Sequence, residues 1–278
     1  MSTAALSTTE ITLHDALVNI LCEAPSSSGT HSISGSGVII DPKGIILTNA
    51  HVAQLFLLAD RGVSCFIRSG GPATDRYRAA LMFISPAWLN ANATVLTTPN
   101  PSGTGEQDFA LLAITSSLTE VPLPAVFPFV TPASVPPHAG AHIVIASYAA
   151  QFLDSAQVRS ALFPTIVESS IKDVFTFGTN TIDVLALGGS QAAQEGSSGG
   201  GVASADGELV GMITTSTTEG VTSARSLNAI TLSYIRTEYA REAGSPLAAL
   251  LAEPTADAVA NFAPHLPDLE SVLTTRIH

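Results

Sequence analysis

The sequence predicts an all-β protein in two halves, with short helices at its C-terminal end. Three observations predict it. Short apolar runs rich in Val, Ile and Leu recur along the chain between Gly, Pro and Ser clusters, which is the pattern of strands joined by turns. Six prolines fall within residues 121–140. Proline this dense cannot join a central ladder, so the stretch reads as a linker. Helical periodicity is concentrated after residue 230.

The bulk numbers agree with a folded chain and exclude several partners. The 278 residues are 46% hydrophobic and only 12% charged, enough to build a sizeable core. The net charge is -12, Lys and Arg together number 11, and the first basic residue is Lys43. A phosphate-binding surface needs clustered cations, so nucleic acid and anionic membrane are not expected partners. No apolar run approaches the ~18 residues of a membrane span. The first residues carry no basic region, so no export signal is expected, and the compartment stays open. Cys22 and Cys65 lack metal-ligand spacing to each other or to a histidine, so no metal or other cofactor is expected. Both cysteines are expected as free buried thiols.

Taken in order, residues 1–14 are polar and expected to be loosely ordered. Residues 16–22 form a first strand. Two β-branched runs then flank Asp41-Pro42-Lys43-Gly44, a hairpin with its turn signal at the tip. The second of these strands runs into Thr48-Asn49-Ala50-His51. Strands are expected at 62–68 and 77–84, followed by a long polar insert, 85–107, that holds the only tryptophan, Trp88. This insert is read either as overhanging a cleft or as a passive loop. Asp108 opens the buried strand 108–114. After the linker, strands are expected at 142–148, 164–171, 173–177, 181–187, 208–214 and 226–232. A helix over 231–242 should stop at Gly244, with shorter helices at 246–252 and 267–276. The organisation is therefore 15–120, linker 121–140, 141–235, and a helical tail 236–278.

One stretch carries chemistry. Glu195-Gly196-Ser197-Ser198-Gly199-Gly200-Gly201 places serine among glycines between apolar runs. Glycines let a substrate carbonyl approach and leave backbone N–H groups free to meet an oxyanion. Serine as nucleophile also needs a base, and the base needs an orienting acceptor. His51 and Asp108 each sit where a strand meets a turn, and they complete the set.

The motifs resemble those of trypsin-like serine proteases, most closely the bacterial HtrA/Deg type. Gly35-Ser36-Gly37-Val38-Ile39-Ile40 with Gly44-Ile45-Ile46-Leu47-Thr48-Asn49-Ala50-His51-Val52 is similar to that family's histidine region. Asp108-Phe109-Ala110-Leu111-Leu112 resembles its aspartate motif, and Gly196-Ser197-Ser198-Gly199-Gly200 its nucleophile motif. Gly207-Glu208-Leu209-Val210-Gly211-Met212-Ile213-Thr214 matches the strand that follows the nucleophile. The resemblance covers residues 15–235 and implies two six-stranded antiparallel β-barrels. It also implies a serine endopeptidase acting on polypeptides through His51, Asp108 and Ser198, with an oxyanion hole from the N–H groups of Gly196 and Ser198.

The resemblance further implies a primary pocket walled by Ala192, Ala193, Gln194, Thr214, Thr215 and Ser216, with Ser226 at its back. Small walls without an acid imply a small or medium apolar side chain. Arg225 offers an alternative attraction for an acidic one. Two departures stand out. Ser197 replaces the family's Asp or Asn, which leaves no carboxylate to receive a new N-terminal amine. Gly201 replaces its proline, which implies added backbone freedom and a loosely held oxyanion turn. About 43 residues follow 235, too few for the PDZ domain usual in HtrA relatives. The oligomeric state is not expected from any segment.

Two alternatives fit parts of the same pattern. Gly196-x-Ser198-x-Gly200 also fits the nucleophile elbow of α/β-hydrolases. That fold orders its triad Ser, Asp, His, and here only His265 and His278 follow Ser198. Residues 199–204 also make a poor helix start. The second alternative, a catalytically silent scaffold that binds proteins, is disfavoured by the presence of all three triad residues.

Overall fold

The computed structural model describes residues 3–28, 30–92, 103–150, 153–178, 180–189, 195–216 and 226–275. Six strands close a first barrel: β1 (Leu17–Glu23), β2 (Ile33–Asp41), β3 (Ile45–Thr48), β4 (Ser64–Ser69), β5 (Thr74–Ile84) and β6 (Ala110–Ser117). Their order around the barrel is β1-β2-β3-β6-β5-β4. Seven more form a curled antiparallel sheet: β7 (His142–Ser147), β8 (Thr165–Ser170), β9 (Asp173–Phe175), β10 (Val184–Ala186), β11 (Gly201–Ser204), β12 (Leu209–Ser216) and β13 (Leu227–Thr231). Its order is β8-β7-β11-β12-β13-β10-β9. This is the chymotrypsin-like arrangement. The second half departs from a closed six-stranded barrel, because β8 and β9 stand as the two edges of seven strands.

The expected hairpin forms as predicted. Gly44 has φ +84° at its tip, and the Asp41 carboxylate accepts the Lys43 N–H at 2.9 Å. Residues 121–140 hold no strand beyond an isolated bridge, Pro132 to Leu209. They still bury Phe127, Val130 and Ala133. The linker is therefore packed along both sheets by its apolar side chains, although its prolines keep it out of them.

Three expectations are corrected. Residues 3–16 form helix α1 (Thr3–Ala16). Thr9, Leu13 and Ala16 are buried and lie at helical spacing on one face, a stripe that the surrounding Ser and Thr residues obscured. The second correction concerns the cysteines. Cys22 and Cys65 form a disulfide. They sit directly opposite each other where β1 pairs with β4, with Cα atoms 4.0 Å apart, although 43 residues separate them in sequence. Third, the start of the polar insert is the helix α3 (Pro86–Asn92), with Trp88 and Leu89 buried. A four-residue helix, α2 (Ala50–Ala53), follows β3, and α4 (Ser155–Ser160) follows β7.

The tail is helical, as expected, with one helix more than predicted. α5 (Leu232–Ala243) is capped by the Thr231 hydroxyl and ends at Gly244, φ +69°. α6 (Leu247–Ala252), α7 (Thr255–Phe262) and α8 (Leu266–Thr274) follow. The extra helix, α7, packs on β5, where Phe83 meets Tyr239 at 4.8 Å and Phe262 at 6.1 Å between ring centroids. The larger core cluster runs from the barrel through these helices and into Val144, Ala203 and Met212 of the second sheet. Among the described residues no helix is long and apolar enough to cross a membrane.

Candidate active site

Strand pairing brings the predicted base and its acceptor together. β3 pairs with β6 so that Thr48 lies opposite Ala110. The chain leaving β3 and the chain entering β6 therefore meet at one end of the barrel, with His51 on the first and Asp108 on the second. The His51 Nδ1 lies 2.7 Å from Asp108 Oδ2, and the His51 backbone N–H donates to Oδ1 at 3.0 Å. A carboxylate only accepts, so Nδ1 carries the proton and the Nε2 lone pair is left for the nucleophile. Asn49 Nδ2 donates to the Asp108 carbonyl at 3.0 Å, which fixes the backbone under the carboxylate.

The side chain of His51 is 22% exposed and that of Asp108 only 6%. Burial works against the imidazolium, but the Asp108 charge and hydrogen bond outweigh it. The His51 pKa is therefore raised above its ordinary 6.5.

The second sheet supplies the serine. Gly199 N–H donates to the Ile213 carbonyl at 2.9 Å, and Ile213 N–H donates to the Gly200 carbonyl at 2.8 Å. The next residue on β12 is Thr214. Its hydroxyl donates to Asp108 Oδ2 at 3.1 Å. One strand register thus ties the turn holding Ser198 to the acid holding His51. Gly199 is required here. Its φ is +85°, and a Cβ would lie 2.0 Å from the Ser36 carbonyl oxygen.

Ser197 and Ser198 differ in their surroundings. Ser197 is 1% exposed and accepts a hydrogen bond from the Ser147 hydroxyl at 3.3 Å, so it faces inward. Ser198 is partly exposed. Among the described residues it makes no hydrogen bond with His51, and such contacts tighten on substrate binding. Among the described residues the N–H groups of Gly196 and Ser198 also donate to no backbone carbonyl.

The loosely held turn expected from Gly201 is corrected. Gly201 is buried at the start of β11, opposite Ala146 and Met212. A Cβ there would meet Leu13 and Val38 side-chain atoms at 2.8 Å each. The glycine makes room for α1 and β2, and it adds no freedom.

The pocket residues are less complete. Ala192, Ala193, Gln194 and Arg225 lie outside the described residues. Thr215 and Ser216 continue β12, and exposed Ser226 precedes β13. Thr214 is buried and directs its hydroxyl to Asp108, a role that its assignment to the pocket wall did not include. Only the hydrogen bond reveals it, because threonine on a strand carries no distinguishing sequence signal.

Helix α5 grips both ends of the insert. The Glu242 carboxylate accepts the Ser85 hydroxyl at 2.9 Å, and Ser85 accepts the Trp88 N–H at 3.1 Å. Burial pushes the Glu242 carboxyl pKa up, against the Ser85 and Ala87 hydrogen bonds. At the other end, Gln107 has φ +58°. Its N–H donates to the Tyr234 hydroxyl at 3.0 Å, and its side chain donates to Glu238 at 3.0 Å. The Trp88 ring stands 6.5 Å from that of His51.

These motifs identify the class. Residues 35–212 match the model of the trypsin-like peptidase domain, well over half of the chain, and the protein belongs to that family of serine proteases. Its fold is similar to the active form of the Rv3671c protease from M. tuberculosis, with TM-score 0.53 and 16% identity over 87% of each chain. The inactive form of that protease matches with TM-score 0.52 and 16% identity, over 87% of this chain and 96% of the other. No curated protein matches the chain.

Proposed function

We propose that the protein is a serine endopeptidase that cleaves polypeptides through an acyl-enzyme intermediate. The observation that carries this reading is the 2.7 Å contact of His51 Nδ1 with Asp108 Oδ2, which leaves Nε2 available. Ser198 Oγ attacks the scissile carbonyl carbon while His51 Nε2 takes the hydroxyl proton. The carbonyl electron pair moves to oxygen and meets the N–H groups of Gly196 and Ser198. As the tetrahedral species collapses, the C–N bond breaks and His51 returns the proton to the leaving amine. Water then attacks the acyl ester by the same route, which frees Ser198. Asp108 keeps its charge throughout and stabilises the imidazolium, and Thr214 holds the carboxylate in place.

The strand 214–216 would pair with the substrate as an added strand. Residues 192–194, 214–216 and 226, small apart from Gln194, would suit a small or medium apolar side chain.

The test is covalent labelling with a fluorophosphonate, followed by cleavage-site profiling on a peptide pool. Wild type should label at Ser198 and cleave after small apolar residues. Ser198→Ala should lose turnover about 10⁶-fold. A folded wild type that neither labels nor cleaves would instead indicate a binding scaffold.

A further inference from the structure

The reaction above gives no role to the hydroxyl of Ser36. Ser36 lies in β2 between Gly35 and Gly37 and is 0% exposed. Its Oγ donates to the Gly196 carbonyl at 2.8 Å and accepts the Tyr148 N–H at 2.9 Å. Its backbone N–H donates to the Ser198 carbonyl at 2.7 Å. Its carbonyl accepts the Thr48 hydroxyl at 2.7 Å, on the strand that leads to His51. A single barrel residue therefore holds two carbonyls of the nucleophile turn, one of them through its side chain.

The position of that side-chain contact matters. Gly196 has φ +85° and no Cβ, so the peptide planes on either side of it rotate at little cost. The plane before it is fixed because the Glu195 carbonyl accepts the Ala150 N–H at 2.7 Å. In a trans peptide the next N–H points the opposite way, which sets the direction of the Gly196 N–H. The plane after Gly196 is fixed by the Ser36 hydroxyl. An oxyanion donor is effective only if it is aimed before the charge develops. Without this hydroxyl, one of the two planes loses its partner, and the Tyr148 N–H and Gly196 carbonyl lose a buried hydrogen bond.

We propose that Ser36 is a positioning residue for the oxyanion turn, its hydroxyl holding the Gly196–Ser197 peptide plane, which lies between the two donor N–H groups, so that both are aimed before substrate binds. The proposal rests on the reading of Gly196 and Ser198 as oxyanion donors and adds a residue on the opposite sheet that preorganises them.

The experiment compares wild type, Ser36→Ala and Ser36→Gly in the full chain. Both variants keep the backbone hydrogen bonds of position 36 and lose the hydroxyl; Ser36→Ala keeps the Cβ, and Ser36→Gly loses it too. If Ser36→Ala does not fold, Ser36→Gly gives the same comparison. The readouts are kcat and KM on a peptide amide, the affinity of a peptide aldehyde, and hydrogen exchange of residues 195–199. Ser198 adds to the aldehyde carbon, and the resulting oxygen occupies the oxyanion site.

Losing a whole oxyanion donor costs about 10²–10³ in kcat, so misaiming one should cost at least ~10-fold. KM should not move, and aldehyde affinity should fall by the same factor as kcat. Exchange over 195–199 should quicken while the acid limb of activity stays in place. Unchanged aldehyde affinity overturns the proposal, even if the melting temperature drops. If wild type proves inert to substrate and aldehyde, the endopeptidase reading fails, and exchange over 195–199 judges Ser36 by itself. Faster exchange without the hydroxyl then supports its hold on the turn, and equal exchange overturns it.

Discussion

The two sides of the candidate site are held in different ways. On the closed barrel, His51 and Asp108 are joined through side chains, with the carboxylate accepting from the His51 ring, the His51 backbone and Thr214. On the curled sheet, Ser198 is placed through backbone, by its own carbonyl on Ser36 N–H and by Gly199 on Ile213. The first side is an electrostatic unit, so substitutions there should change a pKa. The second is a geometric unit, so substitutions there should change transition-state affinity and leave the pKa alone. β12 couples the two, because neighbouring residues Ile213 and Thr214 serve one side each.

After removal of Ser198, the largest effect is expected from Asp108→Asn. It should lower kcat by about 10⁴, since the amide no longer enforces the tautomer. It should also move the acid limb. The raised His51 pKa requires activity to fall as pH drops through a value above 6.5. With the Asp108 charge gone, burial acts alone and the limb shifts to lower pH. The stabilising effect of the pair has the opposite sense. It is fully present below the unfolded pKa and is lost as pH rises through the folded one. Melting of Ser198→Ala between pH 5 and 9 should therefore show a loss on the alkaline side that Asp108→Asn abolishes.

A smaller effect is expected from Thr214→Val, which removes one hydroxyl donor to a charged group. Such bonds are worth about 1.5–3 kcal/mol, so kcat/KM should fall roughly 10- to 100-fold. The limb should move in the direction seen for Asp108→Asn. A fall in kcat with no movement of the limb would place Thr214 with the geometric side.

Least expected to affect the chemistry is the loss of the Cys22–Cys65 bridge. It links β1 and β4, which carry none of the site residues. Replacing both cysteines with serine should cost about 2–4 kcal/mol in stability, measured by denaturant unfolding, with kcat unchanged.

The electrostatic side was the more legible in the sequence. Thr48-Asn49-Ala50-His51 and Asp108-Phe109-Ala110-Leu111 are contiguous motifs at strand ends, and the pairing of β3 with β6 brings them together without a long-range surprise. The candidate nucleophile was singled out by its glycines and by the order of the three residues. What escaped depends on contacts between segments distant in sequence. Ser36 reads as part of a Gly-Ser-Gly strand, and Gly196, its hydroxyl's acceptor, is 160 residues away. Gly201 reads as freedom until Leu13 and Val38 are seen against it. The disulfide escaped for the same reason, since pairing depends on the β1–β4 register. Helix α1 was hidden because its buried stripe is thin and includes the polar Thr9.

The proposed mechanism has His51, held by Asp108, activate Ser198. The most direct measurement is the rate of fluorophosphonate labelling against pH, with the labelled residue identified by peptide mapping. One label is expected, on Ser198, at a rate that falls as pH drops through a single pKa above 6.5. A label on another residue, or a rate flat across that range, would contradict it.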